Sequence, residues 1–367
     1  QFNLFVASIS QYRTLSLSYV NLSRRLQYAV QGFTQTSFFY GLADQVFFEA
    51  GLSPFLDRDD AIATRTIRGG TIYGIYPLNR YTRLEMAGGV VQYKEEFSDS
   101  GLQQYSEQQQ IAQYGTVVFN NGTLVPFSLS LIQEDTVFRE FGPLAGSTMR
   151  LSYEIAPKIG NSLQRQVVDG DIRWYQRLGG SGLLALRLKG FRSWGDNPDF
   201  FFYGGNSEMR GYEYLEFAGH QGGFANAELR FPLIEAMLTP IGVLGGIRGV
   251  FFANIGGTHF QGQPFKFATS GDERFNPLLR VECPPDPSIP CQPIYGPEQT
   301  ISGFRLRDGR ASYGVGLESF LLGFPIHFDF PWRTLFNKDW EDALFAGQGG
   351  GSAFRKPQFK VWIGYDF

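Results

Sequence analysis

Residues 182–192 read GLLALRLKGFR, and this stretch alternates between apolar and polar side chains. Leucines stand at positions 184, 186 and 188, whereas Arg187 and Lys189 fall on the alternate positions. Successive side chains of a β-strand point to opposite faces. The pattern therefore predicts a strand with one apolar face and one charged face.

The same period of two recurs in residues 148–155, 165–177 and 225–233. Because turn-forming residues separate these segments, we predict an all-β, antiparallel fold of about 16 strands. Fourteen of the strands are clear, and residues 44–50 and 111–119 are ambiguous. The clear strands are placed at 3–9, 14–22, 24–38, 62–75, 80–96, 123–135, 147–157, 165–177, 181–193, 220–232, 244–256, 310–322, 324–330 and 358–367.

The composition excludes several classes of protein. The 367 residues carry 32 Lys or Arg against 35 Asp or Glu, so no basic excess is available to neutralise nucleic-acid phosphates. Aromatic residues make up 16% of the chain and charged residues only 18%, which argues against disorder. The 45 glycines argue against an all-helical fold, because glycine destabilises a helix interior.

Hydropathy favours a membrane β-barrel. A spanning helix needs about 20 consecutive apolar residues, and the nearest stretch, 231–247, contains Glu235. A closed barrel can span a bilayer because its backbone groups are all paired internally. A soluble β-sandwich is the alternative, since it shows the same alternation. Polar faces with charges of both signs, aromatic clusters near strand ends, as at 38–40 and 200–203, and alternating long loops and short turns favour the barrel.

The lengths of the joins predict an orientation. From residue 181 onward, the long joins 194–219, 257–309 and 331–357 lie at one rim and the short turns at the other. Bacterial outer-membrane barrels have short periplasmic turns and long extracellular loops. We therefore expect the bacterial outer membrane, with a periplasmic C-terminus. Residues 1–367 are predicted to be a single barrel domain of a mature or trimmed chain, which N-terminal strands or a periplasmic domain could precede.

Two segments carry a family signature. Residues 203–212, YGGNSEMRGY, contain a glycine pair and an Arg-Gly-aromatic sequence, and residues 226–233, NAELRFPL, follow at a family-like distance. Together they resemble the BamA/TamA (bacterial surface antigen) superfamily over residues 123–367. Residues 1–100 look closer to the subgroup whose barrels are fused to TolB-like propellers.

This resemblance implies a sixteen-stranded barrel that inserts or translocates proteins at the outer membrane. Its implied partners are outer-membrane lipid, client outer-membrane or exported proteins, and accessory periplasmic or lipoprotein subunits. It also implies that the loop after residue 194 folds into the barrel lumen and that its arginine docks on the wall. The loop residues concerned are Gly204, Gly205, Arg210, Gly211 and Tyr212. The glycines allow sharp turns and close backbone approach.

A guanidinium buried in the lumen must be paired, because desolvation of an isolated charge costs several kcal/mol. Glu228 lies on the polar face of the next predicted strand and is the expected partner of Arg210. The family has an Asp on the following strand, where this chain has Asn254. The ion pairing that holds Arg210 is therefore expected to be weaker, or to use another carboxylate. Whether Arg210 only holds a plug in place or acts on client chains stays open at this point.

The C-terminal residues 360–367, KVWIGYDF, resemble the terminal recognition strand of outer-membrane barrels. The residues that carry this resemblance are Trp362, Gly364, Tyr365 and Phe367. The family implies a weak seam between the first and last strands. An unpaired strand edge is a template for an incoming strand, and Gly364 is expected to weaken the pairing locally.

The sequence predicts no enzyme, cofactor or metal site. Serine-hydrolase, zinc-helix and phosphate-loop motifs do not occur in it. Cys283 and Cys291 lie in one long extracellular loop and are predicted to form a disulfide, with free thiols as the alternative. The acidic residues at 57, 59 and 60 are interpreted as a solvated loop rather than a calcium site. A structural barrel that anchors a larger complex, and a passive pore, remain alternative functions.

Overall fold

The computed structural model describes most of the chain. The described residues are 2–9, 12–39, 63–97, 100–114, 117, 121–139, 142–179, 182–239, 242–282, 292–321 and 324–364. The predicted disulfide between Cys283 and Cys291, the acidic residues at 57, 59 and 60, and Tyr365 and Phe367 lie outside these residues.

Most of the described residues lie in β-strands. The strands are β1 (Phe2–Ile9), β2 (Tyr12–Asn21), β3 (Gln27–Phe39), β4 (Ala63–Pro77), β5 (Thr82–Phe97), β6 (Gly122–Leu124), β7 (Phe127–Glu134), β8 (Val137–Arg139), β9 (Gly142–Ala156), β10 (Arg165–Leu178), β11 (Gly182–Trp194), β12 (Phe201–Tyr203), β13 (Phe217–Gly219), β14 (Gln221–Thr239), β15 (Gly242–His259), β16 (Ala268–Thr269), β17 (Glu273–Phe275), β18 (Leu278–Glu282), β19 (Gln292–Tyr295), β20 (Gln299–Ile301), β21 (Arg305–Leu306), β22 (Arg310–Leu321), β23 (Phe324–Thr334) and β24 (Lys360–Ile363).

Helices are few and short. They are α1 (Ser100–Tyr114), α2 (Lys338–Leu344), α3 (Gly350–Phe354) and a 3-10 helix at Ala346–Gln348. Among the described helices, none has both the length and the apolar character needed to cross a bilayer.

The main sheet has 16 strands in the order β1-β2-β3-β4-β5-β7-β9-β10-β11-β14-β15-β22-β23-β24, with β6 beside β5 and β8 beside β9. Its order follows the chain, and its described pairings are antiparallel, as between β14 and β15. The predicted strand count and antiparallel class are therefore confirmed.

Two predicted strand boundaries differ from those in the structure. The strand expected at 123–135 is divided into β6 and β7 around Pro126, which lacks the N–H that a continuous ladder needs. Of the segment 111–119, which the sequence left ambiguous, residues 111–114 lie in helix α1. The last strand starts later than expected, because β24 begins at Lys360 rather than at residue 358, and it extends to Ile363 within the described residues.

The chain divides into two compact units. The first contains residues 1–133, 150–169 and 192–200, and the second contains residues 134–149, 170–191 and 201–367. In the first unit, β1 to β5 form a continuous antiparallel series, with β4 and β5 paired over fifteen positions from Ala63↔Phe97 to Pro77↔Arg83. The second unit contains the long strands β14, β15, β22 and β23, and every predicted site residue within the described part of the chain.

Burial in the second unit is inverted relative to a soluble sheet protein. On β14 the charged Glu228 and Arg230 are each 1% exposed, whereas Leu229 between them is 38% exposed. On β15 the apolar Phe251 is 51% exposed. A soluble sandwich buries its apolar face, so these strands show the opposite pattern, which is the one expected of a strand between lipid and a polar interior.

Candidate functional site: the loop anchored by Arg210

The segment between β11 and β14 folds back as a short hairpin. Strands β12 and β13 pair from Phe201↔Gly219 to Tyr203↔Phe217. Gly204 and Gly205 follow β12 with φ values of 140° and 76°. A Cβ on Gly204 would lie 2.6 Å from the carbonyl oxygen of Glu213. Only glycine therefore fits the point at which the chain turns.

Aromatic side chains fill the space inside this hairpin. The rings of Tyr203 and Phe217 stack with centroids 4.9 Å apart, and Phe224 on β14 lies 4.9 Å from Tyr203. Phe201 and Tyr203 are buried, at 8% and 0% exposure. The aromatic run at 200–203 was predicted as a cluster near a strand end. Residues 201–203 form strand β12, and Phe201 and Tyr203 face the packed interior of the loop, whereas Phe202 is 43% exposed.

Arg210 lies at the centre of the site and is 2% exposed. Its Nη2 atom lies 2.7 Å from Oε1 of Glu228, and its Nε atom lies 3.6 Å from Oδ2 of Asp329 on β23. The same Nε donates a hydrogen bond to the carbonyl oxygen of Asn206 at 3.2 Å. The guanidinium also lies 4.6 Å from the ring centroid of Phe252. The structure thus joins Arg210 and Glu228, as the sequence predicts.

The charges around Arg210 are balanced. Arg230 on β14 binds the other oxygen of Glu228, with Nη2 to Oε2 at 2.8 Å. The cluster therefore contains the guanidinium groups of Arg210 and Arg230 and the carboxylates of Glu228 and Asp329. Because buried charges are tolerated only when paired, this balance accounts for four charged side chains that are each at most 2% exposed.

Trp362 extends this cluster to the last strand. Its indole Nε1 donates a 2.8 Å hydrogen bond to Oδ2 of Asp329, the oxygen that also faces Arg210. Its ring stacks on His327 with centroids 3.6 Å apart, and the guanidinium of Arg210 lies 5.8 Å from its centroid. His327 in turn bonds the carbonyl oxygen of Gly364 through Nε2 at 2.8 Å. Trp362 was predicted only as part of a terminal recognition signal, and here it also contacts the arginine site.

Asn254 has a different role from the one predicted. It accepts a 2.7 Å hydrogen bond from Nδ2 of Asn226 and donates one of 3.1 Å to the hydroxyl of Ser312. Asn226 also donates to the carbonyl oxygen of Glu208 in the loop. Asn254 thus supports the loop through Asn226. Because an amide supplies both a donor and an acceptor, it bridges its two neighbours without charge, and the second carboxylate near Arg210 comes from Asp329.

Gly211 and Tyr212 fix the loop beyond Arg210. Gly211 has a φ of 91°, and a Cβ there would lie 3.0 Å from a side-chain carbon of Pro331. The hydroxyl of Tyr212 donates a 3.1 Å hydrogen bond to the carbonyl oxygen of Ala311. Burial raises the pKa of Tyr212, so this hydroxyl stays protonated as a donor.

Sequence reasoning missed Asp329, His327 and Phe252. Asp329 and His327 occupy alternate positions of β23 that share its buried face, and Phe252 lies on the buried face of β15. Alternation alone could have assigned these residues to a face of their strands, but it could not have shown that their positions along the strands bring them next to Arg210. Among the described residues, no group of three acidic, histidine or cysteine side chains is arranged to hold a metal ion. The site is therefore an anchor made of paired charges, hydrogen bonds and aromatic rings.

Comparison with known proteins gives the following results. The model of the Omp85 superfamily domain matches residues 6–367. The structure is similar to BamA from Haemophilus ducreyi lacking POTRA domains 1–3, with a TM-score of 0.56, 12% identity, and coverage of 99% of this chain and 64% of that chain. It is also similar to CdiB from Escherichia coli, with a TM-score of 0.47, 12% identity, and coverage of 96% and 52%. No curated protein sequence matches the chain. The chain covers 64% of the BamA chain and 52% of the CdiB chain, which is less than two thirds of either.

Proposed function

Because this chain belongs to the Omp85 superfamily, we propose that it inserts proteins into the bacterial outer membrane or translocates them across it, without catalysing a covalent reaction. Family membership confirms the predicted superfamily, and the similarity to BamA confirms the predicted β-barrel fold. The barrel therefore lies in the outer membrane. We propose that its C-terminus faces the periplasm, because β24 runs antiparallel to β23 and therefore away from the long loop at residues 335–359, and long loops are extracellular in bacterial barrels.

One observation carries the proposal. Arg210 from the lumen loop and Trp362 from the last strand meet at one carboxylate oxygen of Asp329. A loop that served only as an inert plug would need no contact with the terminal strand. This arrangement instead connects the state of the loop to the strand at which an incoming chain could pair.

Within the described residues, the last strand is short, and the backbone N–H of Gly364 donates one further hydrogen bond to the carbonyl oxygen of Pro325 at 3.1 Å. Strand β24 pairs with β23 at four positions, from Ile326↔Ile363 to Asp329↔Lys360. Gly364 follows directly with a φ of 155°. Glycine in a strand weakens its pairing, and a strand edge offers backbone N–H and C=O groups to another strand. We propose that client strands pair at this edge and that accessory periplasmic or lipoprotein subunits deliver them.

The test is insertion by the full protein in liposomes. The probe is a urea-unfolded outer-membrane barrel of eight strands, and its folding is followed by protection from protease. Cysteine pairs between β1 and β24 are screened for one that oxidises, and insertion is then compared before and after reduction. We expect insertion only in the reduced protein.

Equal insertion in both states would refute a role for the terminal edge. Stoichiometric partner subunits with no insertion would favour the structural anchor. A large steady conductance in planar bilayers would favour the pore.

A further inference from the structure

The outward side of the main sheet carries a hollow over strands β14 and β15. The outward side is the one on which Leu229 is exposed, opposite the buried Glu228 and Arg230. Ala225 and Ala227 share this side of β14, because alternate residues of a strand face the same way. The hollow over these alanines has a volume of about 890 Å³, and its lining residues belong to the second compact unit. Sites for small ligands occupy about 300–1,000 Å³, so the hollow is large enough to be one.

Large apolar side chains border the hollow on both sides. Trp174 on β10 and Leu188 on β11 line one side, and Tyr313 on β22 and Phe336 after β23 line the other. Between these walls lies Ala253 on β15, directly opposite Tyr313 in the register. Strands favour β-branched and aromatic residues over alanine. The walls therefore stand above a floor of small side chains that strand propensity does not explain.

Phe336 takes its place in the wall with a strained backbone. Its φ is 62°, in the left-handed region that a residue with a Cβ disfavours. Its side chain is 52% exposed, and the ring of Phe304, with its centroid 6.1 Å away, is itself 55% exposed. Packing within the chain therefore does not offset the strain, whereas contact of the ring with an apolar group bound in the hollow would.

Aromatic rings mark the edge of the hollow nearest the 260–309 loop. Gly257 lies on the outward side of β15, two residues beyond Ile255, which lines the hollow. A Cβ on Gly257 would lie 3.1 Å from the ring of Phe265 and 3.4 Å from that of Phe267. Both rings therefore lie against the outer surface of the strand, as in the aromatic girdle at a membrane interface. Lys266, between them in the sequence, is exposed at the level of a lipid headgroup.

The position of the hollow selects its occupant. The outward side of an outer-membrane barrel contacts lipid, so acyl chains reach the hollow directly. The walls at Trp174, Tyr313 and Phe336 would hold a rigid partner, such as a second barrel, away from the alanine floor, whereas a flexible chain can enter. Lipid tails are as apolar as leucine, so hydrophobic burial gives no preference for this site. The preference comes from dispersion contacts with the floor and walls, which an unfilled hollow would lose.

We propose that the hollow binds the acyl chain of a bilayer lipid. The chain lies on Ala225, Ala227 and Ala253 between the two walls, and the headgroup lies beside Lys266. In the orientation proposed above, this edge is the extracellular one, so the lipid belongs to the extracellular leaflet. The site goes beyond the proposed function, because no step of insertion depends on it.

The test is photolabelling of the full protein in vesicles of phosphatidylethanolamine and phosphatidylglycerol. The probe is a trace of phosphatidylglycerol with a diazirine in one acyl chain, and labelled peptides are quantified by mass spectrometry. The reference surface is β5, where Met86 and Val90 are 42% and 52% exposed. We expect roughly tenfold more label at residues 225–227 and 253–255 than at β5, which is the preference that about ten additional atom contacts supply. Equal labelling of the two surfaces would overturn the proposal.

Filling the hollow with a side chain should displace the lipid. Ala253→Phe places a ring on the floor, and strands favour aromatic residues, so the barrel should melt at the parent temperature while label at the hollow falls to the level of β5. Val90→Phe is the matched control, because it adds a ring to the reference surface and should leave labelling of the hollow unchanged. Parent-like labelling of the hollow in Ala253→Phe would overturn the proposal.

A second variant removes a wall instead of filling the floor. Phe336→Gly relieves the backbone at a φ of 62°, so its melting temperature should equal or exceed that of the parent, while label at the hollow should fall severalfold. Unchanged label would contradict the role of the wall and overturn the proposal. Absence of label from the hollow of the parent would show that another protein covers this surface, and would overturn the proposal equally.

Discussion

Replacing Arg210 by alanine should release the lumen loop and leave the sheet paired. The guanidinium is 2% exposed and lies between Glu228 on β14 and Asp329 on β23. It donates a hydrogen bond to the backbone within the loop, at the carbonyl oxygen of Asn206. The strand ladders do not depend on it, so the change acts on docking of the loop rather than on the barrel itself.

The size of the effect follows from what remains buried. Removing one partner of a buried ion pair costs about 3–5 kcal/mol. The lower end applies here, because Arg230 still lies 2.8 Å from Glu228 and Trp362 still donates to Asp329. A loss of about 3 kcal/mol raises the undocked population of the loop by more than about 100-fold.

Amide hydrogen exchange of the detergent-solubilised protein measures this population. Backbone amides at residues 203–217 should exchange about 100-fold faster in Arg210→Ala, while those of β14 and β15 keep the parent rate. The control is Arg280→Ala, which removes an ion pair of 2.6 Å to Glu282 whose side chains are 68% and 55% exposed. Such surface pairs contribute little. If both variants exchange at the same rate, the aromatic cluster holds the loop and our account of Arg210 is wrong.

Three further changes test the other contacts of the loop. Trp362→Phe keeps a ring but loses the hydrogen bond to Asp329, so amides of β24 should exchange about five- to tenfold faster, equivalent to about 1 kcal/mol. Gly211→Ala places a Cβ 3.0 Å from Pro331 at a φ of 91°. This change should weaken loop docking by about 1–2 kcal/mol, which the same exchange measurement would detect. Burial raises the pKa of Tyr212 above its ordinary value of 10.0, so its contribution to stability is present below pH 10.0 and is lost as the pH rises further. Above pH 10.0, the melting temperature of Tyr212→Phe should therefore fall less steeply with rising pH than the melting temperature of the parent.

Each of these expectations has a clear contrary result. Unchanged exchange in β24 of Trp362→Phe would show that backbone pairing alone holds the last strand. Parent-like docking in Gly211→Ala would mean that the loop has room to shift away from Pro331. Parallel loss of melting temperature in Tyr212→Phe and the parent would assign the alkaline transition to other groups.

The sequence predicted the strands well because alternation is a local property. Glu228 and Arg230 follow each other at a spacing of two, so one strand pattern places both on the buried face of β14. The pairing of Arg210 with Glu228 needed only that face and the family resemblance. Length was harder to predict, since the end of a strand depends on its neighbour, as β14 shows by continuing to Thr239 instead of ending at residue 232.

Partners on distant strands could not be predicted in this way. Asp329 and Trp362 meet because β23 and β24 are in the register that pairs Asp329 with Lys360 and His327 with Trp362. Alternation assigns a face to each of these residues but does not fix the register between strands. Composition also could not show which rings at 200–203 become buried: Phe201 and Tyr203 are buried, whereas Phe202 is 43% exposed.

The position of the second carboxylate near Arg210, on β23 instead of β15, determines which strand the loop is held against. The carboxylate expected on β15 is replaced by the neutral Asn254, and the second carboxylate near Arg210 comes from Asp329 on β23. A charge on β15 would have held the loop at the middle of the sheet. A charge on β23, bonded to Trp362, holds it beside the terminal strand. Because coupling between two equilibria is reciprocal, release of the loop should loosen β24, and displacement of β24 by a client strand should loosen the loop by the same free energy.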